Sequence, residues 1–140
     1  MRVVADSNIF VSALRFGGKP EELLRAAEDG RYVLLVSEPI LLEIAEVFSR
    51  KFGWSSDRVA TSLRRIRAVA EVTVPGQKVS ACEDPDDDRI LEAAVSGDAT
   101  HVVSGDKHLL RMGTFRGAEI IRVRDFLALL DSSTKSDRDG

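Results

Sequence analysis

Arg2-Val3-Val4-Ala5-Asp6 and, far along the chain, His101-Val102-Val103-Ser104-Gly105-Asp106 are hydrophobic strand-like runs that each lead to an aspartate. Short apolar runs of this kind, rich in valine, read as strands buried on both faces. Between them lies Glu83-Asp84-Pro85-Asp86-Asp87-Asp88, five carboxylates in six residues, just ahead of a helical pattern. In proteins built of alternating strands and helices, ligands bind beyond the carboxyl ends of the strands. Acids delivered there from distant parts of the chain meet in one pocket. They repel one another unless a cation lies between them, and a hard divalent cation with oxygen ligands is the natural one.

Working outward, the chain alternates strand and helix. Residues 2–5 form the first strand, followed by a turn at Asp6-Ser7-Asn8 and an apolar segment, Ile9 to Phe16. After the break Gly17-Gly18-Lys19-Pro20, a helix carrying Leu23, Leu24, Ala26 and Ala27 stops at Gly30. Tyr32 to Val36 is the second strand. Ser37 caps a helix expected to bury Leu41, Leu42, Ile44, Ala45, Val47 and Phe48. A further helix covers Asp57 to Ala70, and Glu71 to Val74 is a short third strand stopped by Pro75-Gly76. The acidic turn opens a helix that stops near Gly97. His101 to Ser104 is the fourth strand, Lys107 to Met112 a helical turn, Glu119 to Val123 the fifth strand and Asp125 to Leu130 the last helix. Such alternation implies an α/β fold with a parallel sheet covered on both faces. Ser132 to Gly140 has no apolar residue, so residues 131–140 are expected to form a flexible tail on a single domain over 1–130.

The chain has 140 residues, 44% hydrophobic and 31% charged, the mix of an ordinary soluble domain. No apolar run approaches the roughly 20 residues of a membrane span, and the N-terminus reads as a strand and not a signal peptide. A lone Cys82 makes no internal disulfide, which suits a cytoplasmic setting. The net charge of −3 hides an asymmetry. Outside residues 83–88 there remain 18 acids against 20 Lys and Arg, a balance of +2. Arg50, Lys51, Arg58, Arg64, Arg65 and Arg67 face only Asp57 between positions 50 and 67. That stretch is either a solvated helix face or a phosphate-tracking patch.

Each acid also has a structural reading. Asp6 and Asp106, taken singly, are ordinary helix caps; together they leave the same sheet edge. Glu43 is flanked by apolar residues at 41, 42, 44 and 45, so it lies nearer the buried stripe than Glu46 and needs a partner. Acids in a first helical turn complement the macrodipole by about 0.3–1 kcal/mol each, but five adjacent ones exceed that purpose. The run lacks the sixth-position glycine and twelfth-position glutamate of an EF-hand loop. His101 and His108 are not at a zinc-like spacing, and no P-loop, GxGxxG or GxSxG occurs. Oxygen ligands alone favour Mg²⁺ or Mn²⁺, which can polarise phosphoryl oxygens, generate hydroxide and stabilise a leaving oxygen.

Asp6-Ser7-Asn8-Ile9, Glu43 in a Ser37-initiated helix, Asp84-Pro85-Asp86-Asp87-Asp88-Arg89-Ile90-Leu91-Glu92 and Val103-Ser104-Gly105-Asp106-Lys107 together resemble the PIN-domain family. More narrowly they are similar to its branch of VapC-like ribonuclease toxins of toxin–antitoxin systems. The likeness runs in order over residues 1 to about 130. It implies a three-layer α/β/α sandwich with a central, parallel, Rossmann-like sheet, and metal-dependent cleavage of RNA. The family's acids fall on Asp6, Glu43, the acidic run and Asp106. Asp87 is the preferred third acid with Asp88 beside it, and Asp84 stands as an acid acting from further out. Ser7, Asn8 and Ser104 fall where the family places small polar residues, and Lys107 is a candidate for steadying the scissile phosphate. A small antitoxin and a second copy of the chain are the implied partners.

Two other classes compete. A phosphotransfer or phosphatase-type protein would use Asp6, but the dehalogenase pattern wants a second aspartate where Asn8 stands, and a receiver wants one where Ser37 follows Val36. A non-catalytic PIN-like domain would bind RNA or protein only, yet all its acid positions are filled. Phe48, Phe52 and Trp54 are either an exposed contact surface or part of the core.

Overall fold

The computed structural model describes the backbone of residues 1–139 and the side chains of residues 1–132. Its first half runs β1 (Arg2–Ala5), α1 (Ser7–Arg15), α2 (Gly18–Glu28), β2 (Val33–Ser37), α3 (Glu38–Arg50), α4 (Ser56–Val69) and β3 (Glu71–Thr73). Its second half runs α5 (Pro85–Ser96), β4 (His101–Val103), α6 (Lys107–Met112), β5 (Thr114–Phe115), β6 (Ala118–Ile121) and α7 (Val123–Asp139). The apolar segment after Asp6 is thus a full helix. The last helix continues beyond Leu130, and the expected flexible tail falls largely on side chains outside the described residues.

The strands form one sheet in the order β3-β2-β1-β4-β6-β5. Val4 pairs with Leu35 on one side and Val102 on the other, both parallel, which makes β1 central. The consecutive residues Val3, Val4 and Ala5 are at most 1% exposed. Successive side chains point to opposite faces, so helices cover both faces and the architecture is a three-layer α/β/α sandwich. The chain steps outward from β1 through β2 to β3, then returns to place β4 against β1. That reversal opens a crevice at the carboxyl ends of β1 and β4, where Asp6 and Ser104 lie.

Two expectations need correction. β5 pairs antiparallel with β6, a hairpin the sequence reading missed. Its turn places both Arg116 (φ 45°) and Gly117 (φ 87°) at positive φ, as a type I′ turn requires. Arginine instead of asparagine or aspartate at the first of these positions hid the signal. Leu42, expected in the core, is 63% exposed, because α3 turns its Ile40, Leu41, Ile44 and Phe48 face inward. Phe48 is buried, as expected of α3, and stacks on Trp54 with ring centroids 4.0 Å apart, so of its two readings the core holds.

Candidate active site

Two strand-end caps, Asp6 and Asp106, and two helical positions, Glu43 in α3 and Asp87 in α5, carry the acids. Asp6 ends β1 and caps α1, its Oδ1 accepting the Asn8 N–H at 3.0 Å. Its Oδ2 accepts the Ser104 hydroxyl at 2.8 Å, from the loop after β4. Ser104 Oγ also accepts the Asp106 N–H at 3.0 Å, so one buried serine ties the two strand-end aspartates together. Asp106 caps α6 through Oδ1 alone, which takes the N–H groups of His108 (2.7 Å) and Leu109 (3.2 Å). Its second oxygen is left for the cleft that Asp106 lines with Asp84, Asp87 and His108. A second cleft, lined by Asp6, Asn8, Ser12 and Gly105, meets the first at Asp106.

Glu43 and Asp87 complete the group. Burial pushes the Glu43 carboxyl from its ordinary 4.5 up to about 7, opposed by the Ser7 hydroxyl and reinforced by the charges of Asp86, Asp6 and Asp84. Asp87, in the first turn of α5, is pushed up to about 6 by burial, then by Asp106, Asp84 and Asp6. Burial is also the main cause raising Asp6, with Asp106 adding to it and the Asn8 N–H and Ser104 hydroxyl opposing it. Asp6 lies close enough for its charge to act on both Glu43 and Asp87, and Asp106 acts on Asp6 and Asp87, so residues far apart in sequence lie around one crevice.

The model of the PIN-domain family matches residues 2–108, most of the chain. The chain belongs to the PIN-domain family. Among curated proteins, no sequence matches it closely enough to count as a relative. Among solved structures, the crystal structure of VapBC2 from Rickettsia felis bound to a DNA fragment from their promoter contains a similar chain, at a TM-score of 0.58 and 15% identity. The match covers 86% of the present chain and 97% of the other, and it speaks for a shared PIN-like fold.

Within this PIN domain the acidic run divides its labour. Asp84 caps α5 through the Asp86 N–H, and Asp86 is exposed. Asp88 is 5% exposed, and its Oδ1 accepts the N–H groups of Ala81 (3.0 Å) and Cys82 (2.9 Å). It pins the incoming loop, whereas Asp87, the residue before it in the same turn, feels the charges of Asp6 and Asp106. Glu92, which the sequence reading passed over, does a similar job one turn on. Buried, it accepts the Val79 N–H at 3.2 Å and pairs with Arg89 at 2.7 Å. No pattern in the irregular 74–84 stretch announced either contact. Cys82 is a bystander: burial and the adjacent Asp88 push its thiol up to about 11, away from the thiolate. Lys107 is exposed at the start of α6, and Asn8 is exposed beside Asp6.

The donor set suits a hard cation. All the candidate ligands are carboxylate oxygens, and burial without a counter-charge is what raises Asp6, Glu43 and Asp87. Among the described residues no three acidic, histidine or cysteine side chains close tightly around one point. A cation held here would therefore keep water in its shell, as Mg²⁺ commonly does. The repulsion is partly offset because the positive ends of α1, α5 and α6 all open onto the site. No helix among the described residues is long and apolar enough to cross a membrane.

Proposed function

We propose that this PIN domain is a divalent-metal-dependent endoribonuclease and the toxin of a toxin–antitoxin pair. The observation that carries the reading is the convergence of Asp6, Glu43, Asp87 and Asp106 at the crevice between β1 and β4. Family membership adds the nuclease expectation. The likeness to a chain of VapBC2 supports a toxin role with an antitoxin partner, and a homodimer is the accompanying proposal.

In this account Asp6, Glu43, Asp87 and Asp106 hold Mg²⁺ or Mn²⁺ directly or through water, with Asp84 acting from further out. The cation, when bound, polarises a phosphoryl oxygen and lowers the pKa of water for in-line attack. Ser104 fixes the Asp6 carboxylate against rotation, and Asn8 holds its other oxygen. Ser7 supports Glu43 by a hydrogen bond to its carboxyl. Lys107, exposed at the rim, is placed to meet substrate phosphate. Asp88 serves the site indirectly, by anchoring the loop ahead of α5. The phosphotransfer alternative gains nothing from the geometry, since Ser37, where a receiver wants an aspartate, is occupied as the cap of α3.

The test is cleavage of a mixed RNA pool by purified, antitoxin-free protein with Mg²⁺ or Mn²⁺ against EDTA, alongside Asp6→Asn. Cleavage that needs both the metal and Asp6, with an unchanged circular dichroism spectrum for the variant, is the expected outcome. Undiminished cleavage by Asp6→Asn would refute the assignment of the site.

A further inference from the structure

We propose that Arg15, Phe16 and Phe52 form a stacking platform for an unpaired base of the RNA strand running out of the active site, an inference that rests on the ribonuclease reading above. α1 starts at the site and leads away from it. Asn8 and Ser12 line the cleft that contains Asp6, and Arg15 and Phe16 follow on the same face at helical spacing. With nine residues in α1, the platform lies about 13 Å from Asp6 along the helix axis.

One arginine there lies against two aromatic rings. Phe16 is 71% exposed, a large apolar ring open to solvent. The Arg15 guanidinium lies 3.6 Å from the centroid of the Phe52 ring and 4.5 Å from that of Phe16. Arg58 covers Trp54 in the same manner at 3.6 Å. Several other arginines are paired with carboxylates, among them Arg2 with Glu71, Arg25 with Glu21, Arg65 with Glu28 and Arg67 with Glu38, while Arg116 lies more loosely over Phe115 at 5.2 Å. Among the described residues neither Arg15 nor Arg58 has an acidic partner. A ring orients the guanidinium without neutralising it, so its charge stays available to phosphate and its plane to a base. Single-stranded RNA is held by this combination of base stacking on aromatic or arginine planes and contacts to the backbone. The acidic cleft cannot attract RNA by itself, so cationic charge must act from outside it. Arg15 supplies that charge, with exposed Arg50 and Lys51 next to Phe52 in sequence.

Binding is read in EDTA, where no cleavage competes, by fluorescence anisotropy of a labelled oligouridylate of about twelve nucleotides. Phe16→Ala should weaken binding by about five- to hundredfold, the range expected for one stacked base. Arg15→Gln should lower the salt slope by about one, and Arg15→Lys should restore the slope without restoring full affinity. Unchanged affinity in both Phe16→Ala and Arg15→Gln overturns the platform. So does a fall in molecular mass of Phe16→Ala at constant RNA affinity, which would mark the face as a contact between two copies of the chain. If the wild type binds RNA through these residues but cleaves none with metal, the platform stands and the nuclease reading falls. If it cleaves and the variants bind as well as wild type, the platform alone falls.

Discussion

Asp6 shows how one side chain serves both fold and site. It caps α1 with one oxygen and takes the Ser104 hydroxyl with the other, so the ordinary reading of a strand-end aspartate and the functional reading place it identically. Ser104 is the residue on which that arrangement turns. Ser104→Ala leaves Asp6 Oδ2 and the Asp106 N–H without their partner, so urea unfolding should show a loss of about 1–3 kcal/mol. RNA cleavage should fall with it, even at temperatures where the variant stays folded. Asp88 makes the complementary case. Asp88→Ala strands two backbone N–H groups and should destabilise by about 1–3 kcal/mol, while Asp88→Asn, which keeps an acceptor, should retain most stability and metal affinity. Equal stability of the two variants in urea titrations would contradict the anchoring role. Asp6 and Asp106 were legible in the sequence because a strand end fixes their location. The choice between Asp87 and Asp88 was not, because it depends on where the aperiodic 79–82 segment passes α5.

At the scale of elements, caps and breaks carried most of the information. Ser37 announced α3 at the position where it begins, and the acidic turn announced α5 without fixing its cap. The β5–β6 hairpin stayed hidden because its turn residue, Arg116, is not one that favours positive φ. Leu42 misled because apolar residues flank Glu43 on both sides, and only packing against α1 and α4 decides which face of α3 is buried. Gly97, read simply as a helix stop, has a tighter role. A Cβ there would lie 2.7 Å from Leu35 Cδ1 and 3.0 Å from Thr73 Cγ2, so the end of α5 rests directly on β2 and β3. Gly97→Ala should therefore lower stability by about 1–3 kcal/mol through overpacking, despite its better helix propensity. A thermal melt at or above the wild-type midpoint would contradict that close contact.

For the whole molecule, topology does what no single element can. The order β3-β2-β1-β4-β6-β5 sets β1 beside β4, so Asp6 and Asp106 leave one edge of the sheet, which the alternation of strands and helices anticipated. The cost is a cluster of desolvated carboxylates. With Glu43 raised from 4.5 to about 7 and Asp87 from 3.8 to about 6, the folded chain keeps protons that the unfolded chain releases. These two groups therefore weaken the metal-free fold progressively as pH rises from about 4 to about 7, and the loss is complete above that window. In EDTA, Glu43→Gln should flatten the fall in melting temperature between about pH 5 and pH 7.5. Saturating Mg²⁺ should raise the wild-type midpoint more at the higher pH. A steeper fall in the variant would reverse the sign and sink the argument. The most direct test of the central claim is Mn²⁺ titration calorimetry near pH 7.5 on the wild type and on Asp6→Asn, Glu43→Gln, Asp87→Asn, Asp106→Asn and Asp88→Asn. The account predicts that the first four variants each lose about tenfold or more in affinity, while Asp88→Asn binds as the wild type does. No binding by folded wild type, or affinity untouched by all four substitutions, would contradict a shared cation site.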